Sequence, residues 1–172
     1  EAALYFVEHF RAGRSALAPG GLYCQWLPLF QMSEEEFNIV VASFADVFPR
    51  ATLWRGDFAP DNPALALVGH ADDVAIDPLT VERRVRELEL DESNPQLGHP
   101  AGLWIYLCGA VNSKAPRFAA ARRNRESEPW LELLGPLAHA DATHGARALF
   151  VGRRLEKFLM ETHSQPLTGS AL

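Results

Sequence analysis

The sequence contains little of what several classes of protein require. Its 172 residues include two cysteines, Cys24 and Cys108, and both lie inside apolar runs. Cysteines in such runs are typical of buried small hydrophobic residues and not of a disulfide framework or a thiol nucleophile. We therefore expect two reduced thiols and a cytoplasmic protein.

Positive charge is also scarce. Lys and Arg total 16 against 22 Asp and Glu, a net charge of -6 at pH 7. A nucleic-acid surface needs a basic field to gather phosphates, so this composition argues against a nucleic-acid partner. The local basic runs at residues 122–125 and 153–154 are interpreted as solvated helix faces in preference to anion sites.

Long apolar segments and metal-binding motifs are missing as well. The longest strongly apolar run, residues 101–111, is far shorter than the roughly 20 residues of a membrane-spanning helix. His139, Asp141 and His144 lie close in sequence, but no second pair of ligands follows at metal-binding spacing. We therefore expect no membrane partner in this chain and no metal.

The most informative stretch is residues 19–48. Gly20 and Gly21 form a turn, and residues 22–29 have the length and aromatic content of a strand buried on both faces. Such strands are typical of the centre of a parallel sheet. Trp26 and Phe30 are accordingly expected in the core.

A helix is predicted directly after this strand. Ser33 and Glu36 have the spacing of a capping box, which also accounts for the acidic first turn, Glu34 to Glu36. One apolar stripe then follows at helical spacing, formed by Phe37, Val40, Val41, Phe44 and Phe48.

Two further strands are predicted at residues 51–58 and 64–69, separated by a turn rich in Pro, Asp and Asn. A strand, helix, strand crossover makes parallel neighbours, whereas a short loop reverses the chain. The pattern therefore predicts a mixed α/β sheet that ends in an antiparallel strand, as in doubly wound domains. An amphipathic helix over residues 4–17 precedes the sheet.

The later part of the sequence is predicted to be helical. Asp77 and Pro78 begin one helix, residues 101–111 form a buried helix, residues 115–123 form a basic one, and a last helix follows Gly145.

Three runs carry a resemblance to a known family: Pro-Gly-Gly at 19–21, Gln-Trp-Leu-Pro-Leu at 25–29 and Phe-Pro-Arg-Ala-Thr-Leu-Trp at 48–54. Over residues 4–70 the chain resembles the spermidine synthase-like family of polyamine aminopropyltransferases. Residues 124–132 are similar to that family's Asn-Thr-Asp-Asp-x-Pro-x-Ile-Glu segment, with Glu126 and Ser127 in place of the two aspartates.

The resemblance implies a Rossmann-like fold of the class I methyltransferase type. It also implies transfer of an aminopropyl group from decarboxylated S-adenosylmethionine to putrescine or a related amine. The family's glycine-rich cofactor turn, ribose-binding acid and aspartate loop have no match here, because Gly20 and Gly21 precede a strand instead of following one.

The chain is therefore expected to be the C-terminal half of such a domain and to be inactive alone. Residues 1–70 would form that half, residues 71–163 a helical extension and residues 164–172 a disordered tail. No tightly bound cofactor is expected; decarboxylated S-adenosylmethionine or S-adenosylmethionine would be a co-substrate of the parent protein, which could be a homodimer.

No catalytic residue is assigned, but three residues are candidates for polyamine binding. Gln25 matches a family glutamine near the substrate amine, and its alternative role is a structural amide. Trp54 lies near a family aromatic of the amine pocket, and its alternative is a core aromatic. Asp57 could bind a cation, or serve only as a turn residue.

Two other functions stay open at this point. The same fold supports methyl transfer from S-adenosylmethionine, because fold does not determine function. A degenerate, non-catalytic module for assembly or regulation is the third possibility, which the altered 124–132 segment favours slightly.

Overall fold

The computed structural model describes residues 2–56, 62–72, 77–88, 98–135 and 149–163, which form a mixed α/β structure around an open four-stranded sheet. The strands are β1 (Leu22–Pro28), β2 (Thr52–Arg55), β3 (Ala64–His70) and β4 (Leu107–Ala110). The helices are α1 (Val7–Ser15), α2 (Glu34–Ala45), α3 (Pro78–Glu87), α4 (Pro116–Ala119), α5 (130–135) and α6 (Arg153–His163). Short 3-10 helices cover Ala2–Tyr5, Leu29–Gln31 and Pro100–Tyr106.

The sheet order is β1-β3-β2-β4, and each neighbouring pair of these strands is antiparallel. The prediction that the last strand of residues 1–70 reverses direction is confirmed by β3. The prediction of parallel neighbours is wrong for the described sheet. Because β3 lies between β1 and β2, the crossover through α2 joins two strands of the same direction that do not touch.

The prediction that residues 22–29 form a central strand buried on both faces is also wrong. Within the described sheet β1 is an edge strand, and Leu22 and Trp26 are 57% and 54% exposed. Cys24 is exposed too, which corrects its expected burial. The apolar composition predicted that both faces of β1 would be buried, but the described helices pack on only one face.

That covered face contains the core. The capping box of Ser33 and Glu36 is confirmed, and all five residues of the predicted stripe on and after α2 are buried. Aromatic rings from other elements meet this stripe: Tyr23 of β1 stacks on Phe48 at 5.5 Å between centroids, and Phe10 of α1 packs edge-on against Phe44 at 5.1 Å. The helix therefore joins α1 and the sheet into one core.

The helix predicted over residues 101–111 is absent, since a 3-10 helix leads there into β4. Two glycines, Gly102 and Gly109, weaken an α-helix in this stretch. One of them, Gly109, has φ +141°, and a Cβ there would lie 2.6 Å from the carbonyl oxygen of Thr162, so a larger residue would push α6 away. The predicted helix over 115–123 is reduced to α4.

The boundary predicted at residue 70 does not divide the sheet or the core. β4 pairs with β2, while Phe118, Phe150 and Phe158 pack around Phe37. Helix α3 begins with Asp77 and Pro78 as predicted, and its residues are not buried. The last predicted helix is present as α6 but begins only at Arg153, since Leu149 forms an isolated β-bridge with Ser33. The predicted disordered tail, residues 164–172, lies outside the described residues.

Candidate functional site

The candidate site lies at the carboxyl ends of β1 and β2. Both strands pair antiparallel with β3, so they run in the same direction and their carboxyl ends lie at the same end of the sheet. The register places Trp26 and Trp54 on either side of Ala66. Because side chains opposite one another in a sheet share a face, the two indoles project to the same side. We call this side, which bears Leu22, Cys24, Trp26 and Trp54, the open face.

Trp26 extends across β3 towards β2. A Cβ on Gly56, the residue after β2, would lie 2.7 Å from Cζ3 of the Trp26 indole. The indole therefore covers the backbone at the end of β2 while about half of its own surface stays exposed. An exposed indole face attracts alkylammonium groups through cation-π interaction.

Trp54 is part of a chain of contacts that continues to α3. Its indole stacks on Trp104 at 6.1 Å between centroids, and its Nε1 donates to Oγ1 of Thr52 at 2.9 Å. Trp104 Nε1 in turn donates to Oε1 of Glu82 at 3.1 Å. The stack thus combines aromatic faces with one carboxylate, the kind of group that an amine substrate would need.

Gln25 lies on the other face of the sheet. It pairs with Leu67, which in turn pairs with Leu53, so it alternates with the residues of the open face. Its Nε2 donates to the carbonyl oxygen of Trp26 at 3.1 Å. The structure therefore does not bring Gln25 and Trp54 together, and Gln25 makes the kind of backbone contact expected of a structural amide.

The third predicted site residue, Asp57, lies outside the described residues, as do His139, Asp141 and His144. Within the described ranges, no group of three His, Cys, Asp or Glu side chains is placed to hold a metal.

A groove of about 730 Å³ lies between α6 and the β4 edge, and sequence reasoning missed it. Its walls are mainly apolar, with Arg55, Glu156 and His163 as the ionisable residues. Its volume is within the range of small-molecule sites, roughly 300–1,000 Å³. The sequence contained no signal for this groove, because it forms only when residues 107–110 become a strand.

The thiols near these features are in poor electrostatic surroundings for nucleophilic chemistry. Burial raises the pKa of the Cys108 thiol to about 11, although nearby Arg55 acts in the opposite direction. Partial burial also raises the pKa of Cys24. Both sulfurs are therefore protonated near neutral pH, whereas a nucleophilic cysteine needs a lowered pKa.

Asn124 and its neighbours occupy the opposite end of the sheet. Asn124 is fully buried, and its backbone carbonyl accepts from the Val7 N–H at 2.9 Å at the start of α1. Its N–H donates to Oγ of Ser43 at 2.8 Å, near the C-terminal end of α2. Since α2 runs back from the carboxyl ends of the strands, this contact lies far from the two tryptophans.

The basic run at residues 122–125 is paired and not solvated on a helix. The guanidinium of Arg122 lies 3.9 Å from the Trp130 ring centroid, and Arg123 Nε is 3.0 Å from a carboxylate oxygen of Asp46. Arg125 lies within 4 Å of carboxylate oxygens of Glu8 and Asp46. Arg123 and Arg125 therefore hold the segment on α1 and on the end of α2, while Arg122 packs on α5.

Comparison with known proteins adds no assignment, since no protein-family model, curated protein or solved structure matches the chain. None of the helices in the described ranges has the length and apolarity needed to span a membrane.

Proposed function

We propose that this chain contributes one wall of the substrate pocket of a spermidine synthase-like transferase, which moves an aminopropyl group to putrescine or a related amine. The observation that carries the proposal is the arrangement of β1, α2 and β2. Two strands of one direction are joined by a helix, with the reversed β3 between them, and each presents a tryptophan at its carboxyl end. Ligands of doubly wound domains lie beyond such strand ends.

The proposed reaction is a displacement at carbon. The lone pair of a neutral amine nitrogen attacks the aminopropyl carbon bonded to the sulfonium. The carbon–sulfur bond breaks, its electron pair returns to sulfur to leave methylthioadenosine, and the nitrogen then loses a proton. Aligning the two reactants supplies much of the rate in such a reaction.

In the proposed reaction, the residues of this chain bind and orient the amine. The exposed face of Trp26 and the stacked pair of Trp54 and Trp104 offer apolar and cation-attracting surfaces for an alkylamine. Glu82, which already accepts from Trp104 Nε1 and lies 3.8 Å from the guanidinium of Arg86, adds a carboxylate at the end of this row.

The test uses the product of the complete reading frame that contains this sequence. It is incubated with decarboxylated or ordinary S-adenosylmethionine and a set of diamines and polyamines, and products are identified by mass spectrometry. Methylthioadenosine with a lengthened polyamine is the expected result. Formation of adenosylhomocysteine would contradict the proposal and indicate a methyltransferase. Absence of turnover would favour a non-catalytic module.

Matched tryptophan variants test the assigned surface. Trp54→Ala should raise the KM for the amine about 10-fold, which corresponds to about 1.4 kcal/mol of binding. Trp54→Phe should restore most of this loss, because an aromatic face remains. Trp130→Ala, which removes a ring bound to Arg122 at the other end of the sheet, should leave the KM unchanged.

A further inference from the structure

Gly56, the residue that follows β2, lies against the indole of Trp26. Its N–H donates to the carbonyl oxygen of Ala64 at 2.8 Å, so it continues the pairing of β2 with β3 by one residue. Because Gly56 is two residues after Trp54, a side chain at position 56 would project on the open face. A Cβ there would lie 2.7 Å from Cζ3 of Trp26 and 3.2 Å from Cβ of Ala64. The Trp26 indole thus occupies the space that a side chain of residue 56 would need.

Steric contact, and not backbone conformation, requires glycine at this position. The φ of Gly56 is outside the positive range that favours glycine, so its backbone would accept alanine. The obstacle is the Trp26 ring, since 2.7 Å is far below the roughly 3.5–4.0 Å at which carbon atoms pack. The end of β2 is held by the hydrogen bond to Ala64, whereas the indole lies on the exposed side of the sheet. We therefore expect a Cβ at position 56 to displace the indole.

Two small residues of β3 continue the surface on which the indole lies. Ala66 pairs with Trp26 on one side and with Trp54 on the other, and it is only 3% exposed, as expected of a methyl group between two indoles. Ala64 is two residues before it and shares its face. An indole that starts on β1 can therefore cross β3 without meeting a bulky side chain, and Gly56 is the last of the three small residues in its path.

We propose that Gly56 is a positioning residue of the amine site. By having no side chain, it allows the Trp26 indole to cross β3 and lie over the end of β2, on the same side of the sheet as Trp54. This inference rests on the proposed function, because Gly56 supplies no group to the reaction and acts only through the ring that receives the alkylammonium. A ring attracts a cation within about 6 Å of its centroid, so a displaced indole binds the amine less tightly.

Fluorine NMR tests the contact without requiring turnover. In 5-fluorotryptophan the fluorine is bonded to Cζ3, the Trp26 atom nearest to position 56. The product of the complete reading frame is labelled in this way, and the Trp26 resonance is identified by its loss in the Trp26→Phe variant. Gly56→Ala should shift this resonance, whereas Gly13→Ala should leave it in place. Gly13 is the matched control, since a Cβ there would lie 2.3 Å from Cε2 of Tyr23, a ring of β1 on the covered face.

Steady-state kinetics test what the displaced ring does to the amine. Gly56→Ala should raise the KM for the amine about 5-fold and change kcat less than about 2-fold, because the ring contributes to binding and not to the reacting bonds. Gly13→Ala should leave the KM unchanged. The phenyl ring of the Trp26→Phe variant has no Cζ3, so adding Gly56→Ala to that variant should raise the KM no further. Such a cycle isolates the interaction between the two residues.

An unshifted Trp26 resonance in the Gly56→Ala variant, or the same rise in KM with and without the Trp26 indole, would overturn the proposal. If Gly56→Ala prevents folding, the added Trp26→Phe substitution should restore the circular dichroism spectrum, and its failure to do so would also overturn it. Absence of turnover by the unmodified protein would contradict the proposed function instead. The fluorine spectrum would then decide by itself whether Gly56 positions the indole, so the two proposals fail separately.

Discussion

His70 lies at the end of β3 opposite Leu22, and its Nε2 atom is buried without a hydrogen-bond partner in the described part of the chain. Desolvation lowers the pKa of this imidazole below its usual value of 6.5, because burial disfavours the charged form. As pH falls through 6.5, the unfolded chain takes up a proton at His70 before the folded chain does. Acidification therefore favours unfolding through this residue.

We expect His70→Gln to flatten the fall in unfolding free energy as pH drops from neutral through 6.5 and below. Urea unfolding of both proteins at a series of pH values measures this slope. The same slope in both proteins would contradict the prediction.

Asp77 also makes the stability of the protein depend on pH, but in a more acidic range than His70. Its bonds with Thr80, the side-chain hydrogen bond above all, lower the pKa of its carboxyl below the usual 3.8. The stability it contributes is present above that value and is lost only as pH falls further. The two effects therefore do not overlap.

At the scale of elements, Asn124 connects three helices. Besides its backbone bonds to α1 and α2, its side-chain Oδ1 accepts from the Leu131 N–H of α5 at 3.1 Å. Asn124 therefore has a clear structural role, and neither Glu126 nor Ser127 takes part in these three bonds.

Asn124→Ala should lower the free energy of unfolding by about 1–3 kcal/mol, because it leaves the Leu131 N–H buried without its acceptor. Asn112→Ala is a suitable control. The Asn112 Oδ1 also accepts from a backbone N–H, that of Lys114, but in an exposed turn, so its loss should cost less than about 0.5 kcal/mol. Equal losses in the two variants, measured by urea unfolding, would show that burial of Asn124 is not what matters.

For the whole molecule, the proposed function predicts that the 172-residue chain alone does not bind S-adenosylmethionine or its decarboxylated form tightly. The segments that the family uses to hold the adenosyl group have no match in the sequence. Titration calorimetry of this chain with S-adenosylmethionine and its decarboxylated form should therefore detect no micromolar binding. Micromolar binding would contradict the interpretation of the chain as the C-terminal half of a domain.

Local signals in the sequence predicted several elements correctly. The capping box at Ser33 and Glu36, the stripe ending at Phe48 and the start of α3 at Asp77 and Pro78 each depend on residues a few positions apart, so pattern and structure agree. The reversal of β3 was predictable for the same reason, since a short loop permits few other arrangements.

Contacts between distant residues could not be predicted in this way. The strand at 107–110 depends on pairing with β2 and on close approach of Thr162 to Gly109. Neither contact is visible in the sequence, where this apolar run is equally compatible with a helix. The same holds for Gln25 and Trp54. Both positions suggested one amine pocket, but the register of β1, β3 and β2 places them on opposite faces.

The sequence by itself determined where β1, α2 and β3 begin, which face of α2 is apolar and that the chain is acidic, because these properties depend on local spacing and composition. Only the tertiary structure decided that β3 lies between β1 and β2, that β1 is at the edge of the described sheet and that its Leu22, Cys24 and Trp26 side chains are exposed. Strand order depends on which surfaces are buried together, and a one-dimensional pattern records that a residue is apolar but not what covers it.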